Sequence, residues 1–504
     1  MGIKGKTTFE LTDVNTGKVE RYEHNNMVTN GLSNLFNTYG TWQGDPNSYS
    51  NPKGTAYNYN NNPWIWMTGG LMLFDRAIEE NANKWFMPAG ATMVGNGSYD
   101  VAYTGEVAEL GTYNTLESGV QEDGSIRYVY DFSTSQANGT IQCACLTSNI
   151  GGLIGMGNAS GYYSANNYIV GRMRNDNEMG KRPALTWENR NYGAWDCLAY
   201  PVYDEDAIYI VDPQSIRYAG SNYQEQRNRW WSSSGIIIHK MRSGFKTIGF
   251  LDGQDISKKL QTWELAVPQE IKDYMADPNG GFYTYYVSAY SDPFTRSIYI
   301  VFACRTTSVD ANNAFWVMKI DRNMSVSAHR VTNNTGKRIY LPVTGKSTDT
   351  EVVFDGDYMY LWAEGYQLCR IKYADSTQVE LLPITKSSTD PLCHFAPGII
   401  GVGEYTTSGY NTYYYPFRIY DAVAGTYKST NGYDEVVLKF VPFADRPGTY
   451  LWERATVESN TVTGMYYQLI KDPRYLATIN NLDSPVVKTA SKTMKVTYTL
   501  TPEG

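Results

Sequence analysis

The side chains that could do chemistry are few and poorly grouped. Four histidines (His24, His239, His329, His394) and six cysteines (Cys143, Cys145, Cys197, Cys304, Cys369, Cys393) are the strongest ligand or nucleophile types present. No histidine sits in an HExxH or HxH arrangement, which argues against a zinc hydrolase. Cys143 and Cys145 form a CxC pair whose spacing puts both on one strand face, but no second pair stands at metal spacing. Buried strand cysteines are the ordinary explanation of such a pair. Cys393 and His394 are adjacent, and adjacent strand residues point to opposite faces, so they make a poor nucleophile pair. The glycines from Gly151 to Gly161 fail the GxGxxG spacing, and neither GxxxxGK[ST] nor GxSxG occurs. No cofactor and no metal are therefore expected.

Carboxylates are less easily dismissed. Asp204-Glu205-Asp206, Asp252-Gly253-Gln254-Asp255 and Asp355-Gly356-Asp357 are short acidic clusters with turn character. Loop oxygens of this kind ligate calcium, yet none completes the twelve-residue calcium loop, and acidic turn residues mostly bond their own backbone. A glycosidase needs two carboxylates about 5–10 Å apart. No motif among these acids marks such a pair. Aromatic residues give the richest surface signal: Trp64 and Trp66, Trp230 and Trp231, and Tyr413, Tyr414 and Tyr415, each set in Asn, Ser, Gly or Arg. Such mixtures build rigid recognition surfaces on which sugar rings stack. For each one individually, strand packing or a subunit contact is the more ordinary explanation. These seven are the candidate glycan or partner contacts.

Composition sets the frame around these residues. In 504 residues, 43 Lys and Arg face 51 Asp and Glu, a net charge of −8. With no long basic run, nucleic acid is a poor ligand. Charged residues are only 19%, so Asn, Ser, Thr, Gly and Tyr must carry the polar surface, and 43 Tyr against 16 Phe point to a β-rich chain. The stretch from Pro63 to Phe74, the longest uncharged apolar-leaning run of the first quarter, is far short of the ~20 residues of a membrane helix. The first ten residues lack the apolar run of an export signal, and Lys6 stands where a myristoylation motif needs Ser or Thr. Reduced thiols and folding in a cytoplasm are expected.

The elements that must position these residues are mostly strands. Thr7–Asp13 alternates, Asn15-Thr16-Gly17 is turn chemistry, and Lys18–Glu23 returns, which predicts a hairpin. Leu32, Leu35 and Phe36 predict a short helix behind Thr29 or Asn30. Residues 38–62 have no period and read as a long loop. Ser125–Phe132 and Thr140–Thr147 read as strands joined through Asn138-Gly139, a strong hairpin-turn pair. From about Tyr200 short strands recur. Ile208–Val211 returns as Ile298–Val301, and Tyr358–Trp362 has the same character. Trp316–Asp321, Gln367–Lys372 and Pro416–Asp421 share a second pattern, with Ile320, Ile371 and Ile419 spaced by 51 and 48 residues. A strand pair repeating at roughly 45–50 residues is the signature of propeller blades. A β-sandwich assembly is the alternative. In Met494–Thr501 apolar and polar residues alternate strictly, so that strand must pair with something. Its Thr-rich outer face matches that of the N-terminal hairpin. The expected organisation is therefore mainly β: residues 1–160 as a small attachment domain, 161–475 as an inserted β-propeller-like body, and 476–504 as a strand returning to the N-terminal domain.

The two ends also carry a resemblance. Gly5–Glu20 with Asn26–Asn30, then Asp131–Ile141, then Tyr475–Leu482 with Pro485–Leu500, resemble segments of tail-associated structural proteins of phages and prophages from Gram-positive and gut bacteria. The resemblance covers about the first 160 and last 30 residues. It implies a virion part of the tail fibre, appendage or baseplate kind, attached through its terminal domain and displaying a variable body. Its partners would be other tail proteins and copies of itself, with a host-surface polysaccharide as a further ligand. It would assemble in the bacterial cytoplasm and reside in the virion, without membrane insertion or enzymatic activity. The alternative is a virion-borne glycan-degrading enzyme with a carboxylate pair in the propeller.

Overall fold

The computed structural model describes residues 3–30, 32, 68–84, 89–99, 102, 108–147, 198–202, 204–212, 215, 235–242, 259–276, 284–305, 314–337, 339–340, 352–375, 379–386, 392–408, 411–429, 440–443, 445–458, 461–471 and 476–502. Most of the described residues lie in strands, and α1 (Gln269–Ala276) is a helix among them. No described helix is long and apolar enough to cross a membrane. Two compact units form: residues 1–173, 416–434 and 470–504 in one, and 174–415 and 435–469 in the other.

The first unit is knitted from both ends of the chain. β1 (Ile3–Asp13) and β2 (Val19–Val28) form the expected hairpin, with Phe9 opposite Tyr22. Asp13 Oδ1 accepts the backbone N–H groups of Asn15 and Thr16, and Gly17 supplies the left-handed position of the turn. β30 (Lys492–Pro502) lies antiparallel on the other side of β1, from Ile3 opposite Pro502 to Asp13 opposite Lys492. Its alternation has the predicted effect: Met494, Val496, Tyr498 and Leu500 are buried. Next to β30 come β7 (Ile126–Phe132) and then β5 (Thr112–Tyr113), with β6 (Gly119–Val120) also on β7. Beyond β2 lie β29 (Thr478–Lys488), β8 (Gly139–Thr147), β3 (Gly70–Phe74) and β4 (Met93–Ser98). Backbone bonds from Asn96 to Glu109 and from Gly111 to Asn96 draw the two edges together, leaving a nearly closed, barrel-like sheet. Phe9, Leu11, Tyr128, Tyr130, Phe132, Val496 and Tyr498 fill its core.

One local expectation is overturned. β7 and β8 do not form a hairpin about Asn138-Gly139. β7 pairs with β30 and β5, whereas β8 pairs with β29 and β3. The loop between them bonds to itself: Ser133 N–H donates to Gln136 Oε1, and Asn138 Nδ2 donates to the Thr134 carbonyl. Ala137, not Asn138, takes the left-handed conformation. A loop already satisfied in this way can cross to a distant strand, and the two ends of the chain fill the space between. The predicted helix near Leu32 lies, apart from Asn30 and Leu32, outside the described residues, as does the loop at 38–62.

The second body is a propeller-like ring of antiparallel sheets. The first blade is β9 (Leu198–Val202), β10 (Ala207–Val211), β11 (Ile236–Arg242) and β12 (Lys259–Leu265). The second is β13 (Thr284–Asp292), β14 (Ser297–Arg305), β15 (Ala314–Ile320) and β16 (Val326–Thr332). The third is β17 (Ile339–Tyr340) and β18 (Val353–Asp355), both on β19 (Tyr358–Ala363), then β20 (Gln367–Lys372) and β21 (Val379–Thr385). The fourth is β22 (Leu392–Ala396), β23 (Ile399–Ser408), β24 (Asn411–Asp421) and β25 (Thr426–Ser429), of which residues 416–421 and 426–429 are grouped with the first unit in the division above. A three-stranded sheet follows: β26 (Phe440–Phe443), β27 (Arg446–Glu458) and β28 (Thr461–Lys471). β9 lies against β13, β13 against β18, β18 against β22, β22 against β26, and β26 against β9. Four full blades and the three-stranded sheet thus close one ring through these strands. The recurring sequence patterns are the second strand (β10, β14, β19) and the third strand (β15, β20, β24) of successive blades. Between the second and third blades, Tyr299 stacks on Phe354 with centroids 4.0 Å apart, and Tyr373 meets both edge-on.

Candidate functional site

The turns after three ring-lining strands, β13, β18 and β26, share one device. In the second blade Asp292 ends β13 in an Asx turn: its Oδ1 accepts the Phe294 N–H at 3.0 Å and its Oδ2 the Thr295 hydroxyl at 2.8 Å. The same Oδ2 accepts the Gly356 N–H of the third blade at 3.0 Å. In the third blade Asp355 Oδ2 accepts the Gly398 N–H of the fourth at 2.8 Å. In the three-stranded sheet Asp445 Oδ2 accepts the Asp204 N–H of the first blade at 2.7 Å. The first blade meets the second through Glu205 Oε1 and Arg296 Nη1, 3.0 Å apart. Asp206, Arg296, Gly356 and Gly398 take the left-handed conformation at these turns, which swings each chain back into its second strand.

Glu205 is further held by Lys240 Nζ at 2.6 Å and by the Tyr209 hydroxyl at 2.8 Å. Burial alone would raise its carboxyl. The bonds from Lys240 and Tyr209 and the Arg296 charge outweigh that and hold it below the usual carboxylate range. Tyr209 stacks between Tyr200 and the half-buried Trp263 of β12, an aromatic ladder that sequence reading missed.

His394, on β22, is the centre of the cluster. Its ring is 4% exposed. Nε2 lies 3.2 Å from Asp355 Oδ1, and Nδ1 lies 3.7 Å from Asp292 Oδ1. Nδ1 is beyond hydrogen-bond distance of its oxygen, and Nε2 makes no well-formed hydrogen bond with the oxygen beside it. Phe294 closes the cluster with its ring edge-on to the imidazole, centroids 4.8 Å apart. Burial would push the imidazole down. The Asp355 carboxylate and then the Asp292 charge overcome it and raise His394 above its ordinary value. Three blades thus meet at one histidine and two carboxylates. A second pair behaves oppositely: His239 Nε2 stands 3.3 Å from Asp212 Oδ2 in the first blade, and there burial prevails and lowers the imidazole.

Chemically, this arrangement fastens. Asp292, Asp355 and Asp445 each accept a backbone N–H from the next turn of the ring. A buried polar group so engaged contributes to one fixed geometry. Among the described residues no group of three His, Cys, Asp or Glu side chains is placed to hold a metal ion. The acidic cluster at Asp204–Asp206 and that at Asp355–Asp357 are two of the fastening turns, and Asp252–Asp255 lies outside the described residues. Cys143 and Cys145 are buried neighbours on β8 with sulfurs 3.6 Å apart, and burial pushes the Cys145 thiol up.

Of the seven aromatic candidates, Trp64, Trp66, Trp230 and Trp231 lie outside the described residues. Tyr413, Tyr414 and Tyr415 lie on β24, with their side chains outside the described set. Sequence reading did not group Asp292, Asp355 and His394, because they come from three blades. The available signal was positional: an acid closing the first strand of successive blades.

No protein-family model and no curated protein matches the chain. Among solved structures it is similar to a GH43 beta-1,3-galactosidase, with 11% identity and a TM-score of 0.32 over 54% of this chain. The match spans 55% of that structure, about half its length.

Proposed function

We propose that the protein is a non-enzymatic structural component of a phage tail or tail appendage. Its end-knitted β-unit is the attachment module, and its propeller is a body displayed toward a host-surface glycan or a neighbouring virion protein. One observation supports this most. The segments that carry the tail-protein resemblance are far apart in sequence, yet their described parts fall into one sheet. Residues 5–20 and 26–30 lie in β1, β2 and their flanks. Residues 131–141 link β7 to β8, and 476–482 and 485–500 build β29 and β30. The segments that carry the resemblance thus belong to one sheet rather than to scattered texture. A module that takes in both chain ends can hold to a scaffold while the inserted body varies. The fastened turn carboxylates fit a rigid display body.

The partners on this reading are other tail proteins and further copies of the chain. The test is composition of gradient-purified phage particles by mass spectrometry. The protein should co-sediment with tails, and its purified form should bind host cells without releasing reducing ends from host polysaccharide. Absence from particles, or release of reducing ends, would overturn the reading.

A further inference from the structure

We infer that Asp292, His394 and Asp355 form a proton-operated clasp across three successive blades, closed while His394 carries its proton and loosened when the proton leaves. Each member comes from a different ring-lining strand: Asp292 from β13, Asp355 from β18, His394 from β22. The imidazole and Asp292 are buried and Asp355 is nearly so. The protonated ring sits 3.2 Å and 3.7 Å from two carboxylate oxygens, one on each side. Among the described residues the leading charges on the ring are these two carboxylates, and Phe294 shields it with an uncharged edge.

With the proton bound, one positive charge offsets two negative ones in a site that water barely reaches. With the proton lost, two carboxylates are left facing a neutral ring, and the charge attraction across the joints disappears. The same two carboxylates receive the Gly356 and Gly398 N–H groups, so loosening the histidine also slackens the turns that join these blades.

The direction of the effect follows from linkage. A histidine raised above 6.5 on folding binds its proton more tightly in the native state. Its stabilisation is complete below 6.5 and is lost as pH rises through the folded value. His239 and His329 are lowered by burial and contribute with the opposite sign, as does Lys488, whose amine burial pushes down to about 8.

The test uses the full chain. Thermal unfolding is followed across mildly acidic to mildly alkaline pH for wild type and for His394→Gln, which is neutral throughout. The wild-type midpoint should fall relative to His394→Gln as pH rises, so that the difference between them shrinks. A difference that stays constant with pH would overturn the clasp. Independently of variant folding, histidine ring NMR of the wild type, assigned with His24→Gln, His239→Gln and His329→Gln, should show His394 titrating above 6.5. Titration at or below 6.5 would equally overturn it. In Asp355→Asn the same resonance should titrate lower.

Discussion

At the scale of single residues, Asp292 is the most committed side chain in the ring. It is 1% exposed and holds its own turn, the Gly356 N–H and one side of His394. Asp292→Ala strips all three at once and leaves His394 with one carboxylate. Removing one partner of a buried charge pair costs about 3–5 kcal/mol, so the variant should unfold at clearly lower denaturant. Asp292→Asn keeps the shape and part of the acceptor role and should lose less. Equal losses in the two variants would mean that the charge plays no part. A simpler residue-scale prediction concerns the thiols. Cys143, Cys145 and Cys369 are buried, and burial pushes the Cys369 thiol up to about 12. They should resist maleimide in the native protein at neutral pH and react once it is denatured. Fast native labelling of all three would contradict their placement.

At the scale of elements, β30 is the strand on which the first unit depends. It lies between β1 and β7, and its inward side chains Val496 and Tyr498 share the core with Phe9 and Tyr128. Deleting residues 489–504 would open two strand edges and uncover that core. The melting transition of the terminal unit should disappear, whereas a transition unchanged from wild type would contradict the pairing of the ends. A milder probe is Tyr498→Ala, which removes a buried ring and its hydroxyl contact with Thr478 and should cost about 3–5 kcal/mol. This pairing was legible in the sequence because strict alternation in Met494–Thr501 leaves a strand no stable option but to find a partner. The β1–β2 hairpin was legible for the same reason, with an Asn-Thr-Gly turn to fix its register. The β7–β8 connection was misread because Asn138-Gly139 is a local signal, whereas strand partners are chosen by what else reaches the sheet. Four strands brought in by the chain ends separate β7 from β8.

At the scale of the whole molecule, the blade repeat was visible as two recurring strand patterns, since equivalent strands of successive blades meet equivalent surroundings. The His394 cluster was not visible, because nothing local distinguishes an acid that caps its own turn from one that also reaches into the next blade. Ring closure rests partly on such a residue: Asp445 accepts the Asp204 N–H and so joins the last sheet to the first. A hydrogen bond to a charged group contributes about 1.5–3 kcal/mol. Asp445→Ala should lower propeller stability by that order, and a neutral result in denaturant unfolding would show that the ring closes without it.

The central claim is that this chain is part of a virion, held by the unit made from its two ends. The most direct measurement is electron microscopy of intact phage particles released from the source culture, with gold-labelled antibody against the propeller. Gold at the tail or its appendages is the predicted result. Unlabelled particles, with the protein found free or only within cells, would contradict it.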